Sequence, residues 1–292
     1  MSFLENAESM GLVPILDNSS FKHEDEYSKV MYRRLVCKDN GEEIPRIALF
    51  TSPSDKEDYQ YVTTLSNSYQ FVANDSLIQS VKQSINEIGS PIFDEQFLMS
   101  PSLSMMILTI TIKNEKSIDN VGTLYPCFRI RNSYDGSCAA CVSFGISLED
   151  SSSKTLLNTM LTKIFGQTRQ IHLTGSSTYL SSQLKTHVQV FNSRIEDLLQ
   201  ANLNRPVTEE HMMEVLHMIE KCGKKRKDII SSDILPEQGG PVSTWDVFHA
   251  ILRYSTIENN LNIKVMLENI AQTVLYVPQK MFEVVEKLKE VA

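Results

Sequence analysis

Apolar and polar positions along the chain change period several times, and each change marks an element. Two extended runs, Val30 to Cys37 and Ile44 to Phe50, flank the turn-forming triplet Asp39-Asn40-Gly41, which predicts a β-hairpin. A second hairpin is expected from Tyr59 to Thr63 and Tyr69 to Val72, around Ser66-Asn67. Asn74, Asp75 and Ser76 are all N-cap types; Leu77, Ile78, Val81, Ile85 and Ile88 then recur at helical spacing until Gly89 supplies a stop. Three strands follow. Met106, Leu108, Ile110 and Ile112 alternate with Thr109, Thr111 and Lys113, the period of a half-buried strand. Tyr125 to Ser133 sets Phe128 and Ile130 on one side, with Cys127, Arg129 and Arg131 on the other. Cys138 to Ile146 groups Ala140, Val142, Phe144 and Ile146.

Polar residues from Glu149 to Lys154 mark a seam, beyond which helical patterns dominate. Leu156, Leu157, Met160, Leu161 and Ile164 form one stripe ending at Gly166, and Leu180, Leu184, Val188, Phe191, Ile195 and Leu198 a longer one. Thr208 caps a helix with Met212, Val215, Leu216 and Ile219 inward, stopping at Gly223. Lys224 to Pro241 is basic, then polar and Gly/Pro-rich, and reads as a long loop. Thr244 caps a further helix through Tyr254, and Asn262 to Ala292 is helical with an interruption near Pro278. The expected architecture is α+β: residues 1–150 as an antiparallel β-rich domain with one packed helix, then 151–292 as a helical region. Its core order is helix, three-stranded meander, helix.

Composition narrows the class. The 292 residues are 41% hydrophobic and 22% charged, enough for a sizeable core. Collagen, a coiled-coil rod and a disordered acidic tail are excluded. No apolar run approaches the roughly 18 residues a membrane span needs, and Met1 to Pro14 carries acids where a signal peptide has a basic segment; a cytoplasmic chain is expected. Five scattered cysteines suit a reducing compartment. Cys138 and Cys141 have C-x-x-C spacing, but on one strand residues three apart face opposite ways, so packing is favoured over a shared metal.

A net charge of −8 argues against indiscriminate coating of duplex DNA, while leaving room for a local basic groove. Two basic features stand out. Lys221, Lys224, Lys225, Arg226 and Lys227 follow a helix C-terminus, where they complement its dipole or bind phosphate. Arg129 and Arg131 share a strand face with the hydroxyls of Tyr125 and Ser133, a surface suited to a phosphate backbone or to cross-strand acids. Tyr59, Tyr61, Tyr69 and Phe71 either stack on unpaired bases or fill a sheet core. His211, Glu214 and His217 lie too far apart around a helix to converge on one metal. With no Walker loop, G-x-G-x-x-G, nucleophile elbow or kinase signature, neither an enzyme nor a cofactor is expected.

The turn Asn132-Ser133-Tyr134-Asp135-Gly136-Ser137 has the residues that reverse a strand. Together with Tyr59-Gln60-Tyr61-Val62, Tyr69 to Asn74, and Trp245-Asp246-Val247-Phe248-His249-Ala250 with Tyr254, it resembles the phage- and plasmid-encoded family catalogued as domain of unknown function 932. The likeness covers about Tyr59 to Ile146 and Thr244 to Tyr254. It implies a phage or mobile-element origin and brings no catalytic residues. Helix, meander, helix is also the element order of single-strand annealing proteins, an analogy that puts Arg129 and Arg131 on the sheet. The leading expectation is a non-enzymatic protein of DNA metabolism that binds or anneals single-stranded nucleic acid through Arg129, Arg131 and Lys224, Lys225, Arg226 and Lys227, with a homo-oligomer among the expected partners. The alternative is a module that binds and modulates a host protein of defence or replication.

Overall fold

The computed structural model describes residues 12–14, 21–24, 27–40, 42–150, 155–162, 167–169, 177–203, 205–234 and 241–275. They form a mixed α+β fold with two antiparallel sheets. The first contains β1 (Leu12–Pro14), β2 (Phe21–Glu24), β3 (Ser28–Cys37), β4 (Glu43–Pro53) and β5 (Gln60–Ser66). Its order is β1-β3-β4-β5, with β2 also on the outer edge of β3. β3 and β4 pair as the expected hairpin, Tyr32 facing Leu49 across it; Gly41 of the expected turn lies outside the described residues. The second hairpin does not: β5 pairs back on β4, and Tyr69 to Val72 is no strand but a link leading into the first helix.

The larger sheet contains β6 (Ile92–Met99), β7 (Met105–Ile112), β8 (Lys116–Ile118), β9 (Gly122–Ser133), β10 (Cys141–Glu149), β11 (Leu156–Met160) and β12 (Gln167–Arg169). Its path is β11-β10-β9-β7-β6. The meander therefore carries an extra edge strand, β6, whose Asp94-Glu95-Gln96 centre hides the strand period. Leu108, Ile110, Phe128, Ile130, Val142 and Phe144 make one apolar face, covered by α1 (Asn74–Glu87) and the start of α2 (Ser177–Leu203). Helix α1 follows Ala73, which offers no side-chain cap, and Gly89 ends it at φ 73°.

The helical region completes with α3 (Glu209–Glu220), α4 (Lys224–Ile234), α5 (Thr244–Ile257) and α6 (Leu261–Leu275). Thr208 caps α3 as expected, its hydroxyl accepting from the His211 amide. Ser243, one residue before the expected cap, caps α5 in a reciprocal pair with Asp246. Two elements differ in kind. Leu156 to Met160 is strand β11, because Leu156, Leu157, Asn158, Thr159 and Met160 find an open edge on β10. Lys224 to Ile234 is helix rather than loop; the C-terminal pattern from residue 276 onward, Pro278 included, lies outside the described residues, as do Ile164 and Gly166.

The seam at Glu149 does not separate two bodies. β11 and β12, both beyond residue 150, hydrogen-bond to β10, and α6 crosses the second face of the sheet, where Leu261 packs on Met105 and Ile107. A single cluster joins Leu124, Ile146 and Leu157 of the sheet to Phe191, Val215, Ile230, Phe248 and Leu267 of the helices. Strand β7, expected to be half-buried, is buried along its whole length for this reason.

Candidate functional site

The strand period gives the facing of the two arginines correctly: Arg129 lies beside Thr109 and Ser143, Arg131 beside Ile107 and Cys141, all on the second face. That face is not solvent. Arg129 is 5% exposed and forks onto both carboxylate oxygens of Glu268 on α6, itself 2% exposed. Its Nε donates to Thr109 Oγ1 at 3.3 Å. Lys264, one turn before Glu268, lies 3.8 Å from the same carboxylate and donates to the Ser255 carbonyl at 2.7 Å. Burial pulls the Arg129 guanidinium down, but Glu268 outweighs it and the net shift is upward; burial lowers the Lys264 ammonium, with Glu268 opposing. The expectation that Arg129 meets a polyanion is thus corrected, since α6 covers it and neutralises it. Arg131 differs: it is half-buried, has no ion pair among the described residues, and its buried Nε lacks a hydrogen-bond partner.

Lys224, Lys225, Arg226 and Lys227 open α4, the helix end where positive charge is disfavoured by the macrodipole, while Lys221 is the C-cap of α3. Two members of this basic run are engaged. Arg226 donates to both oxygens of Glu258 at 2.6 and 3.3 Å and to the Cys222 carbonyl at 2.8 Å; Lys227 meets Glu220 at 3.0 Å. Those contacts tie α4 to its neighbours and hold the Glu258 carboxyl below its ordinary range. Lys221, Lys224 and Lys225 are exposed and have no ion pair among the described residues.

The turn after β9 is a joint between the sheets. Tyr134 is 1% exposed, stacks on Phe71 and accepts a hydrogen bond at its hydroxyl from the Asn74 amide, 3.1 Å away. Asn132 donates to Val72 O and Asn74 Oδ1, Asp135 accepts from Ser104 Oγ at 2.6 Å and from the Ser137 amide, and Tyr69 donates to Ser133 O at 2.6 Å. Gly136 turns the chain at φ 72°. Of the four aromatics weighed for base stacking, Tyr69 and Phe71 pack around Tyr134, while Tyr59 and Tyr61 pack on the other face of the small sheet. Trp245 is buried against Phe248 and stacks on His249. His211 lies 3.7 Å from Glu214, and no trio of His, Cys, Asp or Glu fit to hold a metal occurs among the described residues.

Sequence reasoning missed a groove of about 360 Å³ between α4, α5 and the residues Asp150, Thr155 and Leu157. Leu157, Ile230 and Tyr254 give it a largely apolar lining, and Ile229 and Ile257 line it while standing 42% and 72% exposed. Asp150, Asp233 and Arg253 supply its charge, Asp233 and Arg253 lying 3.9 Å apart. The signal available in sequence was Ile257, an apolar residue closing a helix just before the polar Glu258-Asn259-Asn260. A second cavity of about 430 Å³ lies beside the turn, lined by Tyr69, Gln70, Asn132, Ser133 and Cys138.

These features define an antiparallel α+β protein with a helical face bearing an apolar groove. No protein-family model, curated protein or solved structure matches the chain. Among the described residues, no helix is long and apolar enough to cross a membrane.

Proposed function

We propose that the protein acts by binding, and that the groove between α4 and α5 receives an amphipathic, basic-flanked segment of a partner protein. The carrying observation is Ile257, largely exposed at the groove while Leu157, Ile230 and Tyr254 form its lining. Large apolar side chains left in water around a preformed apolar concavity mark an interaction surface. Charge sets the occupant: Asp150 and Asp233 outnumber Arg253, and the chain carries −8 overall, so a segment with Lys or Arg beside its apolar face fits best. If the chain has the phage or plasmid origin that its motif resemblance implies, the partner is a host protein met in the cytoplasm.

Selection from a displayed random-peptide library against the full-length protein tests this, with the Ile257→Glu variant as counter-target. The expected outcome is enrichment of apolar residues at helical spacing flanked by Lys or Arg, with binding at least tenfold weaker to the variant. Peptides that bind both proteins equally would remove the groove from the reading.

A second reading, single-stranded nucleic-acid binding, retains support from Lys221, Lys224 and Lys225, exposed cations without an ion pair among the described residues, of which Lys224 and Lys225 stand at the start of α4, where the dipole disfavours them. Arg131 is the remaining arginine of the sheet pair. Anisotropy of a labelled oligonucleotide checks it: three contacts predict a log–log salt slope of about −2, abolished in Lys224→Glu/Lys225→Glu. Absence of binding at low salt would end this reading.

A further inference from the structure

Strand geometry alone separates Cys138 from Cys141, since residues three apart on one strand face opposite ways. In the structure Cys138 precedes the strand, in a bend, and β10 begins at Cys141. Cys141 sits opposite Arg131, on the second face of the sheet. Cys138 packs against Met105 and Ile107, residues of that same face, and against Leu261 of α6, which covers it. The bend thus turns both thiols to one side. They are close enough for Cys141 to disfavour ionisation of Cys138.

Their surroundings are unequal. Cys138 is half-buried and lines the 430 Å³ cavity beside the turn, so a small reagent can reach it. Cys141 is 3% exposed. Ser133 fixes the approach: its hydroxyl donates to the Cys138 carbonyl at 2.8 Å and accepts from the Cys138 amide at 2.9 Å. Burial raises the Cys138 thiol above its ordinary range, while the Ser133 hydroxyl and the Arg131 guanidinium oppose that rise. An accessible thiol with a second, sheltered thiol at its back is the arrangement of an attacking and a resolving cysteine.

We infer that Cys138 and Cys141 form a reversible dithiol modification site, in which Cys138 exchanges with a low-molecular-weight disulfide and Cys141 resolves the adduct. In the first step the Cys138 thiolate attacks one sulfur of oxidised glutathione. The glutathione S–S bond breaks, a mixed disulfide forms, and one glutathione leaves as thiolate, taking up the proton that Cys138 gave up. In the second step the Cys141 thiolate attacks the Cys138 sulfur, and the second glutathione leaves with the Cys141 proton. Two protein thiols are oxidised and one glutathione disulfide is reduced. The four-residue loop that results is short, and such bonds belong to the readily reduced class, which suits a switch rather than a structural staple.

The full-length protein is incubated with oxidised glutathione, the remaining thiols are alkylated after denaturation, and a tryptic digest is weighed. Cleavage after Arg131 and Lys154 leaves both cysteines on one peptide, so the internal bond appears as that peptide lighter by two hydrogens and carrying no glutathione. That species is expected in the wild-type protein, reverting on addition of a reductant. Cys141→Ser is expected to retain one glutathione on Cys138, and Cys138→Ser to leave Cys141 unmodified. A wild-type peptide that keeps glutathione, or that remains fully reduced at both positions, would overturn the inference whether or not either variant folds.

Discussion

Arg129 on β9 and Glu268 on α6, 139 residues apart in sequence, share a bidentate ion pair buried between sheet and helix. The pair fixes which turn of α6 crosses the sheet, with Lys264 attached to the same carboxylate. Removing only the acid strands two cations in a dry interface. Glu268→Gln is therefore expected to lower unfolding free energy by about 3–5 kcal/mol, measured by urea denaturation. The double variant Arg129→Met/Glu268→Met should recover most of that loss, because apolar replacements leave no uncompensated charge between them. A single variant within about 1 kcal/mol of wild type would mean that water reaches the pair.

Tyr134 does for α1 what no cap residue does. The helix begins after Ala73, and the Asn74 amide, one of the donors every helix start leaves unpaired, finds the Tyr134 hydroxyl instead. Tyr134→Phe keeps the ring stacked on Phe71 and removes the hydroxyl that accepts from the Asn74 amide. A cost of about 1–3 kcal/mol is expected, with faster amide exchange confined to the first turn of α1. Unchanged exchange there would show that the amide has another partner.

How far the sequence foretold this depends on the range of each cause. Helix α1 and strands β7, β9 and β10 were legible because alternation and 3.6-residue spacing are local, and so was the side of the strand that Arg129 occupies. What covers that side was not, since Glu268 enters from another element and nothing near Arg129 announces it. Leu156, Leu157, Met160 and Leu161 fit a helical stripe as well as a strand, and only the free edge of β10 decides between them. The basic start of α4 read as loop because its anchor, Glu258, comes 32 residues after Arg226. The N-S-Y-D-G-S segment was legible as a turn; its role as the joint between two sheets depends on contacts with Val72, Asn74 and Ser104.

Gly145 lies where β10 and β11 approach too closely for a side chain. A Cβ there would lie 2.0 Å from the Thr159 carbonyl oxygen and 2.8 Å from Met160 Cα, both backbone atoms of β11. Side chains cannot swing away to make room, so β11 itself must shift. Gly145→Ala is expected to cost about 3 kcal/mol or more and to loosen β11. Gly89→Ala offers the contrast, with positive φ but open space around the position; about 1 kcal/mol of left-handed strain is expected there. Equal losses in thermal or urea unfolding would refute the close approach as the cause.

His187 makes stability depend on mild acid. It lies on α2 between Phe128 and Phe144, with Nε2 3.1 Å from the Gly145 carbonyl oxygen. Burial pushes its pKa down to about 3, against the weaker opposing pull of the Gly145 and Cys127 carbonyls. In the unfolded chain the imidazole titrates near 6.5. Between those values the unfolded chain binds a proton that the folded chain does not, so stability falls as pH falls from about 6.5 toward 3. Below pH 6 the slope from this one group approaches about 1.4 kcal/mol per pH unit. His249, whose pKa burial also lowers, adds a loss of the same sign. Subtracting the urea-unfolding profile of His187→Gln between pH 7 and pH 5, a window above most carboxylate titrations, isolates the His187 contribution. Parallel profiles for the two proteins would show that the buried imidazole accepts its proton without opening the core.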